Sequence, residues 1–89
     1  SDGQFNSERG LIQFSNGGKN KPQIGDLIVF GGHAFNRFGH VAIISKVFDD
    51  KIEVVQQNCG TNSRESIFME QDYGTFSVKG NVLGWLRLK

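Results

Sequence analysis

Gly39 to Val47 reads GHVAIISKV and Ile52 to Asn58 reads IEVVQQN, with FDDK (Phe48 to Lys51) between them. Both runs are rich in β-branched residues and the connection is turn chemistry, so together they predict a β-hairpin. The first run is apolar at nearly every position, which marks a strand in the middle of a sheet. Strand alternation puts His40, Ala42 and Ile44 on one face and Val41, Ile43 and Ser45 on the other. On the second run Ile52, Val54, Gln56 and Asn58 share a face. A hairpin made only for packing needs neither a titratable ring at one end nor a group of carboxamides at the other.

The turn decides which residue faces His40. A three-residue loop, Phe48-Asp49-Asp50, pairs Val47 with Lys51, and therefore His40 with Asn58 and Ala42 with Gln56. A two-residue Asp49-Asp50 turn pairs His40 with Cys59 and Ala42 with Gln57. Directly opposed side chains have Cβ atoms about 4.5–5.5 Å apart, within reach of a hydrogen bond. One register gives the imidazole an orienting amide; the other gives it a thiol. An amide oxygen accepting one ring N–H fixes the tautomer and leaves the second nitrogen to exchange protons with a nucleophile.

Working outward, Pro22-Gln23-Ile24-Gly25-Asp26 is a turn with Gly25 placed for a positive φ, leading into a strand at Leu27 to Phe30. FGGHAFNRFG (Phe30 to Gly39) contains a glycine-rich loop. Beyond Cys59, a short strand is expected at Ser66 to Met69, an irregular acidic stretch at Glu70 to Gly74, and strands in TFSVKG and NVLGWLRL. Residues 1–21 are rich in Gly, Asn and Ser. They are expected to be irregular, with one helical turn near Ser7 to Leu11, while Phe5, Leu11, Ile12 and Phe14 dip into the core. The predicted fold is mainly β: a small antiparallel sheet of five or six strands curled as a half-barrel.

The totals bound the function. At 89 residues the chain is one small domain. A net charge of +1 with mixed acids and bases argues against a nucleic-acid or anionic-membrane surface. No apolar run reaches the roughly 18 residues of a membrane span. A single cysteine, Cys59, excludes an internal disulfide and a cysteine-based zinc site. His33 and His40 lack the spacing and the third ligand of a metal site, and no cofactor is implied.

Four blocks carry a family resemblance: Pro22 with GDLIVF (Gly25 to Phe30), GHVAII (Gly39 to Ile44), VQQN (Val55 to Asn58) and GWLRL (Gly84 to Leu88). In this order they resemble the CHAP domain, the cysteine- and histidine-dependent amidohydrolase/peptidase of the papain-like superfamily. The resemblance covers about residues 22 to 88 and implies the β-sheet part, 22–89, of an α+β domain. It implies a bacterial cysteine amidase or peptidase cutting amide bonds in peptidoglycan stem peptides or cross-bridges, outside the cytoplasm, with any export signal outside this chain. Some relatives act instead on small γ-glutamyl or polyamine conjugates. By that match His40 is the general base and acid. Asn58 lies where the third catalytic residue often falls, and Gln56 where many members carry Glu. A Gln can hydrogen-bond there, but it cannot stabilise an imidazolium with a full charge.

The family's nucleophilic cysteine heads a helix well upstream of the Gly-Asp block. Here 24 residues precede Gly25 and none is cysteine. The chain therefore reads either as a domain truncated below its catalytic helix, which the abrupt polar start favours, or as a degenerate member; loss of that helix exposes an apolar face and favours self-association. The plainer roles of these residues are a structural histidine at 40, a turn former at 58, a bridging amide at 56 and a solvated loop histidine at 33. Asp26 reads as a turn anchor and Trp85 as core. The rival reading of the whole chain is a non-catalytic SH3-like module that binds peptides or cell wall through the glycine-rich loop.

Because the family's nucleophile sits on a helix, Cys59 is expected to be structural. Its alkylation rate should follow ordinary thiol behaviour with pH and should not change in His40→Ala. A pH profile displaced toward acid that reverts in His40→Ala would instead make the two an ion pair and Cys59 the nucleophile.

Overall fold

The computed structural model describes residues 10–32, 40–58 and 61–88, with the backbone alone at 57–58 and 61–62. Seven strands follow one another: β1 (Leu11–Ser15), β2 (Leu27–Phe30), β3 (His40–Val47), β4 (Lys51–Asn58), β5 (Thr61–Asp72), β6 (Thr75–Val78) and β7 (Val82–Leu88). They form one antiparallel sheet in the order β1-β7-β2-β3-β4-β5-β6, curled as a half-barrel, with no helix among the described residues. The mainly-β expectation holds, with seven strands in place of five or six.

The differences have local causes. Leu11–Ser15, expected to be irregular, is an edge strand paired with β7 from Leu11↔Leu88 to Ser15↔Gly84. The strand expected at Ser66 to Met69 starts earlier, at Thr61, and this β5 pairs with the whole length of β4, from Lys51↔Phe68 to Asn58↔Thr61. Glu70 to Asp72, expected to be irregular, completes β5. Tyr73 (φ 52°) and Gly74 (φ 83°) make the two-residue turn into β6. Two positive φ values in succession are the signature of the hairpin turn whose twist matches that of its strands.

The curl brings the inner faces together over Ile28, Ala42, Ile44, Ile52, Val54, Met69, Val78, Val82 and Trp85. Phe14, Phe30, Val47, Ile67 and Phe76 pack around them. Trp85 is wholly buried, which confirms its core role, and its indole Nε1 is a buried donor without an acceptor among the described residues. Val41 and Ile43 on the opposite face are 52% and 51% exposed. They face Val29 and Leu27 on β2, so β3 is apolar on both faces but covered on one.

Gly84 lets β1 lie against β7. A Cβ built there would sit 2.0 Å from the Phe14 carbonyl oxygen, a distance no side chain tolerates. The far edges are then drawn together by the segment after β1. The Gly17 amide donates to the Phe76 carbonyl at 2.8 Å, and the Phe76 amide donates to the Gly18 carbonyl at 2.9 Å. Asn16 fastens this join: its Nδ2 donates to the carbonyls of Val78 (2.9 Å) and Val82 (3.0 Å), and its Oδ1 accepts from the Val78 amide (2.8 Å).

Asn16→Ala removes all three bonds and strands part-buried backbone groups, so it should cost about 2–4 kcal/mol at 0.5–1.5 kcal/mol per bond. Urea unfolding followed by Trp85 fluorescence measures it; a loss under about 0.5 kcal/mol would mean that water replaces the clasp.

Candidate functional site

The hairpin contains both registers that the sequence left open. At the turn the Phe48 amide donates to the Lys51 carbonyl at 2.8 Å, which leaves Asp49-Asp50 as a two-residue loop. Val47 pairs with Ile52 and Lys46 with Glu53, but Ile44 pairs with Val54 and Ile43 with Val55. The irregularity falls at Ser45, an extra residue whose hydroxyl donates to the Glu53 carbonyl at 3.1 Å. A bulge of this kind restores facing parity, so that Val47 as well as Ile44 and Ala42 can turn toward the core. Beyond the bulge the register is that of the three-residue loop. The pairing ends at Ile43↔Val55; continued further, the same register would set Ala42 opposite Gln56 and His40 opposite Asn58.

His40 opens β3 on the same face as buried Ala42 and Ile44, but at the end of the sheet, where its side chain is exposed. On the other flank it pairs with Phe30. The two rings lie stacked, with centroids 4.4 Å apart and planes 13° from parallel. The imidazole is therefore held flat against a core-anchored ring with its edge open to solvent. Phe30 was part of a quoted block but had no assigned role; its signal was the strand pairing, which a sequence does not state.

Gln56 is half-buried on the inner face of β4, and its Nε2 donates to Oε1 of Glu65 on β5. Glu65 escaped the sequence reading because the strand expected there starts only at Ser66. Once 61–72 is a strand paired Gln56↔Ser63 and Val54↔Glu65, this carboxylate lies diagonally beside Gln56 on the same face. Asn58 occupies its expected backbone position at the end of β4. His33, Cys59 and most of the glycine-rich loop lie outside the described residues. The start of that loop is tied down beside Phe30: Gly31 donates to the Asn81 carbonyl at 2.8 Å, and Asn81 Nδ2 donates to the carbonyls of Gly31 and Gly32 at 3.1 and 3.3 Å.

Asp26 is structural. It is 2% exposed, and its carboxylate takes a bidentate pair of bonds from Arg87, Nε at 3.0 Å and a terminal nitrogen at 2.9 Å, together with the Gln23 amide at 2.9 Å. The first and last of the four sequence blocks thus bind each other. No group of three His, Cys, Asp or Glu side chains converges on a metal-sized site among the described residues.

Phe30→Leu keeps an apolar side chain at the end of β2 but removes the ring beneath His40. The upfield ring-current displacement of the His40 ring protons should vanish, with a stability loss of about 0.5–1.5 kcal/mol beyond the area effect. Unchanged ring-proton shifts would mean that the stack does not persist in solution.

No curated protein matches the chain significantly. The family model described as CHAP domain matches residues 2–58, well over half of the 89 residues. The match takes in the Gly-Asp, Gly-His and VQQN blocks and stops before Gly84 to Leu88. The chain belongs to the CHAP domain family, which relates it to the amidases and peptidases of peptidoglycan hydrolysis.

Proposed function

We propose that this chain is the proton-transfer half of a bacterial cysteine amidase or peptidase that hydrolyses amide bonds in peptidoglycan stem peptides or cross-bridges outside the cytoplasm. His40 takes the proton from a cysteine thiol and returns it to the leaving amine, while Asn58 and Gln56 hold its ring. The observation that carries this reading is the placement of His40. It opens β3 with an exposed side chain whose ring is stacked on Phe30, and the last β3–β4 pair, Ile43↔Val55, leads toward the β4 end that carries Gln56 and Asn58. A histidine kept only for packing gains nothing from an exposed edge. The thiol partner is assigned outside the described residues, and the aliphatic face around Val41 and Ile43 supports self-association.

The chemistry needs only what such a site can supply. A thiolate attacks the carbonyl carbon, the amide nitrogen leaves with the proton held by His40, and water then releases the acyl group with the same ring acting as base. Each proton transfer by a positioned imidazole accelerates its step by about 10²–10⁴-fold.

The test joins a cysteine-bearing CHAP amino-terminal segment ahead of Ser1 and measures release of free amines from purified peptidoglycan. Turnover that falls at least about 10²-fold in His40→Ala supports the reading. Binding of muropeptides without turnover at any pH in that fusion would instead establish a peptide-binding module.

A further inference from the structure

Gln56 stands where a charged residue would serve the imidazole better, yet the structure puts a charge directly behind it. Its Nε2 donates to the Glu65 carboxylate. Glu65 has no lysine or arginine partner among the described residues, the nearby Arg64 being paired with Glu53. Beyond the Ser45 bulge the last paired residues are Ile44↔Val54 and Ile43↔Val55; one more step in that register would set Gln56 opposite Ala42, one diagonal step from His40 on the same face. A diagonal separation of about 7–8 Å is within reach of long and aromatic side chains.

An ionised carboxylate only accepts hydrogen bonds, so it fixes which way the amide points. Gln56 must turn its NH₂ toward Glu65, and the rigid amide plane then turns Oε1 away from Glu65 as a free acceptor. Without the carboxylate the amide can flip and offer the imidazole a donor, which selects the opposite tautomer. With it, the amide is polarised along its length and Oε1 becomes the stronger acceptor. The missing charge at position 56 is thereby supplied from the next strand. We propose that Glu65 is a positioning residue for His40, acting through Gln56 to hold the imidazole in one tautomer. This rests on the reading of His40 as general base.

The test is the tautomer ratio of neutral His40, read from long-range proton–nitrogen correlations of the ¹⁵N-histidine-labelled chain. The spectra are recorded well above the ordinary histidine titration range, in a His33→Gln background that leaves a single histidine. Trp85 fluorescence reports that each variant is folded. Glu65→Gln should reduce the ratio by about two- to tenfold, the worth of one net hydrogen bond. Gln56→Ala should reduce it at least as much. The exchange Gln56→Glu with Glu65→Gln should restore the bias, because the carboxylate then faces the ring directly. An unchanged ratio in Glu65→Gln alongside a collapse in Gln56→Ala overturns the proposal and leaves the amide-oriented base standing. An unchanged ratio in Glu65→Gln, Gln56→Ala and Asn58→Ala alike overturns both. A collapse in Asn58→Ala alone also overturns the proposal, assigning the orienting bond to Asn58.

Discussion

The ion pair of buried Asp26 with part-buried Arg87 joins the entrance of β2 to the end of β7, 61 residues away, and ties the two ends of the described sequence blocks together. Its value is not net stabilisation, since desolvating two charges offsets most of their attraction. It lies in what happens when the pairing is wrong. A β7 slipped by one residue along β2 leaves the buried Asp26 carboxylate without its guanidinium, at a cost of about 3–5 kcal/mol. The guanidinium also lies 4.5 Å from the Phe14 ring and donates to the Lys21 carbonyl at 3.0 Å, so the same residue fixes β1 and the turn before β2. One arginine thus sets the register of β1, β7 and β2 together.

On that frame the sheet uses two local irregularities to present His40. Leu83 is an extra residue on β7 that shifts the pairing with β2 between Val29 and Phe30, and Ser45 is an extra residue on β3 that shifts the pairing with β4. One flanks the strand carrying Phe30, the other lies in the strand carrying His40. Bulges re-aim side chains at the rims of barrels, and both lie in strands that converge on the proposed site. The two-residue turn at Asp49-Asp50 is locally favourable but by itself directs His40 toward Cys59. The bulge keeps the turn and changes the destination.

The legible parts of the sequence were those where hydrophobic period and function agree. LIVF, GHVAIISKV, IEVVQQN and NVLGWLRL are β2, β3, β4 and β7 to within a residue at each end, because inward positions such as Ile28, Ala42, Ile44, Ile52, Val54 and Trp85 stand at the alternate spacing that a strand requires. β5 was not legible. From Thr61 to Ser66 it carries no apolar residue, and Ser63 to Ser66 are exposed on both faces of the strand. Its pairing is dictated by β4, a long-range cause that no local period reports. Tyr73-Gly74 hid for a related reason: tyrosine is a poor residue for a positive φ, and the turn is imposed by the strands that it joins. Glu65 was lost with β5, so the charge behind Gln56 became visible only in three dimensions. The bulge at Ser45 was equally silent, since a serine inside an apolar strand resembles any other outward position.

On the proposed reading the orientation of His40 depends on two neighbouring strands held by separate devices. Phe30 comes from β2, whose place is set by Asp26 and Arg87. The carboxamides come from β4, whose place is set by Ser45. A one-residue slip in either pairing displaces a neighbour by about 3.4 Å and turns it to the opposite face. Catalysis by a positioned base tolerates far less than that, since misplacement by about 1 Å is enough to cost two orders of magnitude in rate. A slip on the β4 side would leave the stack with Phe30 intact and remove the amides. A slip on the β2 side would do the reverse. On the proposed reading the stack holds the plane of the ring and the amide selects its tautomer, and neither can substitute for the other. That separation gives an otherwise oily hairpin a use for its polar end under the same proposal: the apolar part fixes where the ring is, and the polar end fixes which nitrogen is free.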